Sequence, residues 1–331
     1  MNVKHQRESN IRLVCRIGAS ALAALCLSAV SYAQSYPVKP IRIIVPVAPG
    51  GGLDPQARML GRKFQESIGQ TVVIENRPGA ASMIGTELVV RAPADGYTLL
   101  CAASTLASTV TLNRKLAFDL VRDLIPVSQI SSTTQFLVVH SSVPATSVKA
   151  FIALAKQQAG KLNAGSGGTG STNHFALEML KQRAGIQATH IPYKGSGPAT
   201  IALIGGEVDF SFAGALSALP HIRSGKIRAL AVSTLKISPT APTVPTLASF
   251  YPGFEISNWY AIFAPAATSA AIVNKISTEI ANALKSPEVR DFMVKEGADA
   301  VGSTPREFAA FFMQEVERHA KLIQTANIRI E

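Results

Sequence analysis

The 331-residue sequence has three cysteines, one tryptophan and only 6% aromatic residues, and two of the cysteines, Cys15 and Cys26, lie in an N-terminal segment marked for removal. Cys101 is then the only thiol left, so no intramolecular disulfide can form and a disulfide-stapled scaffold is excluded. Within Tyr97-Thr98-Leu99-Leu100-Cys101 it reads as a small buried hydrophobe. No His, Cys, Asp or Glu group has metal-ligand spacing, and no metal or cofactor is expected. Basic residues form no run and are little interleaved with aromatics, which argues against nucleic acid as a partner. Beyond the N-terminus no apolar stretch approaches the roughly 20 residues needed to cross a bilayer.

What is present begins with Lys4, Arg7, Arg12 and Arg16, an apolar run from Ile17 to Val30, and the small-x-small ending Ser31-Tyr32-Ala33. This is the pattern of a secretory signal peptide over residues 1–33, with cleavage expected after Ala33. Leu25 is too bulky to precede a lipid-modified Cys26. Removing the segment changes the charge balance from 32 Lys and Arg against 21 Asp and Glu to 28 against 20. A scattered positive excess of this kind attracts anions diffusely. About 300 residues remain, and with 47% hydrophobic content they suffice for two domains.

Strand and helix patterns alternate along that length. The β-branched run Pro40 to Val47 precedes a helical periodicity from Leu53 to Ile68. Strand-like Thr71 to Glu75, a helix over Ser82 to Arg91 and a strand at Tyr97 to Cys101 follow. A second set runs from Phe136 to Val232, with strands near 136–140, 162–164, 188–192, 208–212 and 227–232. Residues 237–253 read as a connector, the strand Trp259 to Ala264 follows, and three helices start at Ser269, Ser286-Pro287 and the capping box Thr304 to Glu307. Such alternation implies an α/β class with mostly parallel sheets flanked by helices.

Three loops between strands and helices invite a ligand. Pro46 to Asp54, with Gly50-Gly51-Gly52, brings backbone close and aims helix-start N–H groups at an anion. Gly165 to Ser171 repeats the device and adds hydroxyls, and Tyr193 to Pro198 offers a phenol and an amine. In such sheets ligands lie beyond the carboxyl ends of strands. Enzymatic alternatives are weaker. Gly165 to Gly170 fits the dinucleotide spacing GxGxxG but lacks the later acidic residue, since none occurs between Glu178 and Glu207. No lysine follows those glycines, which excludes a P-loop there. Ser166 sits in a near miss to GxSxG, with His174, His190 or His221 as conceivable bases and Asp209 as orienter, a serine-hydrolase alternative. His174 is open to packing or ligand contact. Asp209, in an apolar strand, either binds a ligand amine or ties down backbone amides, the second being preferred.

The chain also resembles the Bug, or TctC-like, receptors of tripartite tricarboxylate transporters. The resemblance lies in Tyr36 to Arg42, Ala48 to Asp54, Val73 to Ala80, Asp95 to Leu100, Gly165 to Ser171 with His174, Pro192 to Gly195 and Pro220 to Lys226. It implies a two-lobed periplasmic-binding-protein fold of type II kind, closing on a carboxylate, with no catalysis. Residues 34–134 plus 236–331 would form one lobe and 135–235 the other. From the first lobe Ala48, Pro49, Gly50, Gly52 and Asp54, then Ala81, Ser82 and Met83, then Ser104 and Thr105, would line the cleft. From the second, Gly168, Thr169, Gly170, Ser171 and Tyr193 would, joined by His174 and Asp209. The implied partners are a small organic carboxylate and a two-subunit membrane permease, with the receptor a periplasmic monomer. A receptor presenting its ligand to a membrane sensor kinase is the alternative of another class. Two departures stand out: many relatives carry an acid where this chain has Ala213, which puts an amino-acid ligand in question, and a second proline or aromatic where it has Val47-Ala48.

Overall fold

The computed structural model describes residues 36–49, 53–112, 116–238, 241–326 and 328. The signal-peptide reading of residues 1–33 lies outside them, as do Gly50, Gly51 and Gly52. Every element named below belongs to the unit from Lys39 to Glu331.

The β-branched run forms β1 (Ile41–Val45), which is parallel both to β2 (Val72–Asn76) and to β3 (Thr98–Ala103). Between them lie α1 (Leu53–Ile68) and α2 (Met83–Val90). Leu53, Ala57, Leu60, Gly61 and Phe64 of α1 are buried, an i, i+4, i+7, i+8, i+11 stripe that lays one face on the sheet. After β3 comes α3 (Thr105–Leu112), which the sequence reading did not anticipate: five of its eight residues are β-branched or hydroxylic, types of modest helix propensity.

The longest strand, β4 (Leu124–His140), was legible only in its last five residues, because its middle, Ser128 to Gln135, is polar. Most of that middle is nonetheless buried, and it pairs with Ser257–Pro265 along one edge and, over Ser131 to Thr133, with Ala298–Ala300 along the other. Up to Thr134, β4 is antiparallel to a later strand over Ser257–Pro265. From Gln135 onward its partners are strands at Phe210–Gly214 and Ile227–Val232. One strand thus serves two sets of partners, with the exchange between Thr134 and Gln135.

The second set contains α4 (Val148–Gln157), β5 (Asn163–Ser166), α5 (Thr172–Ala184), β6 (Thr189–Pro192), α6 (Ser196–Ile204), β7 (Phe210–Gly214), α7 (Ala215–Arg223) and β8 (Ile227–Val232). Strands β5, β6 and β7 are mutually parallel where they pair. The chain returns through β9 (Ser257–Pro265), α8 (Ala270–Leu284), α9 (Pro287–Lys295), the short β10 (Ala298–Ala300) and α10 (Pro305–Thr325). The order is β2-β1-β3-β9-β4-β7-β5-β6, with β8 and β10 also on β4. Where mostly parallel sheets were expected, two parallel triplets are present, β2-β1-β3 and β7-β5-β6, and β4, β8, β9 and β10 add antiparallel pairings.

The three anticipated helix starts are built as their sequences suggest. Ser269 and Ser286 cap α8 and α9 through their side chains, and Thr304 with Glu307 forms the reciprocal capping box of α10. Helix α10 takes part in two cores. Phe308, Phe312 and Val316 pack with Trp259, Phe263 and Leu100, whereas Leu322 and Ile323 pack with Phe175, Phe210 and Phe151. Leu247, Phe254 and Ile256 join this second core. The two crossings between the sets, β4 and the irregular segment between β8 and β9, are stitched at Ser233: its N–H donates to the Gln135 carbonyl, and its Oγ donates to the Ile256 carbonyl while accepting from the Gln135 N–H.

Candidate functional site

A cleft of about 440 Å³ opens where the carboxyl ends of β1, β3 and β5 face the start of β9. Val47 and Leu53 bring the first loop to it, and Ser82 brings the turn before α2. Thr105, Ser108, Thr109 and Leu112 contribute one side of α3. Opposite lie Gly167, Thr169, Gly170 and Ser171, and β9 adds Asn258 and Tyr260. Three helices, α1, α3 and α5, begin at this space. Their first-turn N–H groups have no intrahelical acceptor, and their dipoles place partial positive charge there.

Each segment is held in place by identifiable contacts. Asp54 is buried and accepts from Arg58 Nε (3.1 Å) and Asn76 Nδ2 (2.9 Å), and the same Asn76 nitrogen holds the Val47 carbonyl (3.0 Å). Asp54 therefore braces the first loop from behind. Ala48 and Pro49 are exposed beside the cleft without lining it. The turn at Ala80 to Ser82 puts two non-glycine residues at positive φ, Ala80 at 44° and Ser82 at 76°. Such strain concentrates at functional turns, and here it presents Ser82 to the cleft. Ala81 belongs to the same turn, and Met83 lines a side chamber of about 30 Å³.

In the Gly165 to Ser171 loop, Gly168 (φ 117°) and Gly170 (φ 78°) occupy backbone conformations that side-chain-bearing residues rarely adopt. That path lets Ser171 cap α5 through His174 N (3.3 Å) and puts Thr169 on the cleft wall. His174 lies beneath the wall: its Nδ1 accepts from Gly170 N (3.1 Å) and its ring stacks on His190, 3.9 Å between centroids. Burial holds both imidazoles far below the ordinary histidine value, at about 4, so they are neutral supports. Tyr193 backs this loop through its backbone and reaches Glu207 with its hydroxyl (3.4 Å). Asp209 accepts from Asn163 N (2.7 Å), tying β5 to the start of β7.

Ser166 does meet a histidine, His190 Nε2 at 2.6 Å. The serine is wholly buried and its oxygen also serves Gly168, while Asp209 is engaged at Asn163. No substrate carbonyl can reach such a hydroxyl. Ala213 differs from expectation. It packs among Phe136, Val138 and Leu203, away from the cleft, so an acid at this position would face an apolar core.

Ser104 is buried at the base of α3, its Oγ 2.7 Å from Asn258 Oδ1 and 3.0 Å from Thr172 Oγ1. Asn258 Nδ2 donates to Tyr260 Oη (3.2 Å). Neither Asn258 nor Tyr260 was anticipated as a site residue. Their signal is the period-2 alternation around the wholly buried Trp259, which turns polar Asn258 and Tyr260 to one face of β9. None of the cleft-lining residues among those described carries a formal charge.

The sequence profile of the tripartite tricarboxylate transporter family receptor matches residues 56–328. Protein BugT of Bordetella pertussis is 37% identical over 97% of this chain and 99% of its own. Among solved structures, a Rhodopseudomonas palustris protein with adipate is 32% identical at a TM-score of 0.77, covering 89% of this chain and 99% of its own. MatC from Rhodopseudomonas palustris, with bound malate, is 28% identical at 0.73, covering 87% and 100%. The periplasmic binding protein BugD is 30% identical at 0.74, covering 89% and 100%. The two parallel strand triplets, the shared strand β4 and the cleft at the strand ends are therefore those of a periplasmic-binding-protein fold, and the chain belongs to the tripartite tricarboxylate transporter family of receptors.

Proposed function

We propose that the chain is a periplasmic receptor that captures a small organic carboxylate in this cleft and performs no chemistry on it. The observation that carries the reading is the lining itself: Val47 and Leu53 from either side of the first loop, the glycine-bearing loop from Gly167 to Ser171, hydroxyls and three helix starts. Such a wall stabilises an anion through neutral donors and dipoles. The adipate and malate of the two structural relatives are ligands of that class.

The exchange of partners by β4 between Thr134 and Gln135 supports a division into lobes of 34–134 plus 236–331 and of 135–235. Closure about β4 and the Ser233 stitch would bring Thr169 and Ser171 toward α3. The segment 1–33 serves as the export signal. The closed, loaded monomer then docks on a two-subunit membrane permease, a reading supported by the family's description as the receptor of a tripartite transporter. The serine-hydrolase reading has little support, because Ser166, the serine of its motif, is sealed inside the protein beside His190.

Replacing Thr169 and Ser171 together by Ala tests the site. Two hydroxyl contacts to a carboxylate are worth on the order of 1–3 kcal/mol each at the upper end. Affinity measured by calorimetry is expected to fall by about ten-fold or more. The unliganded protein should lose only the α5 cap, about 1 kcal/mol. Unchanged affinity would reduce the second loop to a turn.

A further inference from the structure

We propose that Tyr260 is the specificity-determining residue of the cleft and selects acids that carry a second oxygen acceptor and no ammonium group; this rests on the receptor reading above. The argument is the direction of one hydrogen-bonded chain, Thr172–Ser104–Asn258–Tyr260.

The Asn258 amide fixes that direction. Ser104 Oγ lies 2.7 Å from Oδ1, a length ordinary for O–H···O, and Nδ2 lies 3.2 Å from Tyr260 Oη, a length ordinary for N–H···O. Rotating the amide would leave the phenol a stretched O–H···O contact of 3.2 Å in place of an ordinary N–H···O one, so the orientation given is the better bonded of the two. Ser104 therefore gives its only proton to Asn258, and its 3.0 Å contact with Thr172 Oγ1 is donated by the threonine. At the other end the Asn258 N–H occupies a lone pair of the Tyr260 oxygen. The phenol proton is left without an acceptor among the described residues, on a side chain that lines the cleft. Burial raises the phenol to about 12, so it remains a donor throughout the physiological range.

A donor whose proton has no protein acceptor is satisfied by a ligand oxygen, and an ammonium group, which has no lone pair, cannot take that proton. No acidic side chain among the described cleft-lining residues would compensate an ammonium either. The other end of the chain crosses the cleft, since Ser104 precedes α3 and Thr172 opens α5. Ligand capture at Tyr260 and approach of the two walls thus share one network.

The test is calorimetry on the mature protein and on Tyr260→Phe, with malate and adipate each set beside the monocarboxylate of matched length, butyrate and hexanoate. For whichever diacid the unmodified protein binds, Tyr260→Phe is expected to weaken affinity on the order of ten-fold and to leave the matched monoacid unchanged. Ser104→Ala, which removes no atom that lines the cleft, should give a smaller loss of the same diacid-only kind, and it decides the matter should the first variant not fold. Equal losses for diacid and monoacid, or no loss, overturn the role of Tyr260 while leaving the receptor reading intact. Failure of the unmodified protein to bind either diacid overturns the selection of a second acceptor, while the receptor reading falls only if the wider panel of carboxylates also fails to bind.

Discussion

Between pH 7 and pH 4 the protein is expected to lose several kcal/mol of stability, with buried histidines as the main cause. His319 is nearly inaccessible, stacks on Phe175 with 4.5 Å between centroids, and has no hydrogen-bond partner at Nδ1. Burial foremost, and then the nearby Arg318 charge, hold it near 4, against an ordinary 6.5. His174 and His190 form their own stacked pair at about the same value, between Glu178 and Lys181. Each imidazole is neutral when folded and regains its ordinary proton affinity on unfolding. Below pH 6.5 the unfolded chain therefore binds protons that the folded protein does not, and stability falls until the folded values near 4 are reached. For His319 this amounts to about 3 kcal/mol by pH 4; the less enclosed pair titrates as a unit and adds less per ring. Glu315, Glu296 and Asp299, raised by burial, work in the opposite sense, and Asp123, held at about 2 by Arg122, adds a loss only below about pH 4. Urea unfolding at pH 7.5, 6, 5 and 4.5 should show a falling midpoint, and His319→Leu, which cannot take up a proton, a shallower fall. A flat profile, or an unaltered slope in that variant, would contradict the assignment.

The second large effect is expected at Trp259. Its indole is wholly buried against Phe308, Phe311 and Phe312, with centroids 5.8, 5.9 and 6.2 Å away, and its Nε1 donates to Glu315 Oε2 (3.0 Å). Arg318 lies 2.7 Å from the other carboxylate oxygen without hydrogen-bond alignment, so the indole is the aligned side-chain donor of this buried acid. Trp259→Ala removes a large core side chain, a change that costs about 3–5 kcal/mol, and strands the carboxylate, about 1–3 kcal/mol more. At roughly 2 °C per kcal/mol for a domain of this size, the melting temperature should fall by about 10 °C or more. Trp259→Phe should fall between, since it restores part of the volume but not the donor. An alanine variant within about 1 kcal/mol of the parent would show that α10 does not depend on this anchor.

The parts of the fold that were legible in the sequence are those written in local periodicity and caps. The β1 run, the buried stripe of α1 and the caps at Ser269, Ser286 and Thr304 each carry their signal within a few residues. Strand β4 does not: the polar stretch Ser128 to Gln135 is extended because β9 and β10 pair with it, a tertiary cause that no local window contains. Helix α3 was hidden for a related reason, since its hydroxyl-rich sequence suits the cleft better than it suits a helix. At the site, loops rich in glycine announced where backbone approaches a ligand. They did not distinguish wall from support: Thr169 and Ser171 face the cleft, while Asp54, His174 and Asp209 sit behind it holding the loops. That distinction depends on which way each side chain turns. Asn258 and Tyr260 lie sixty residues or more from the nearest of those loops and could only be joined to them by the fold.

The central claim is capture of a carboxylate by neutral donors, and thermal denaturation of residues 34–331 against a ligand panel tests it most directly. The panel should hold dicarboxylates, tricarboxylates, amino acids, aromatic acids and uncharged sugars. A ligand that binds only the folded protein raises its melting temperature by mass action. Stabilisation confined to one class of carboxylates is the predicted result. Stabilisation by sugars alone, or by nothing in the panel, would contradict it.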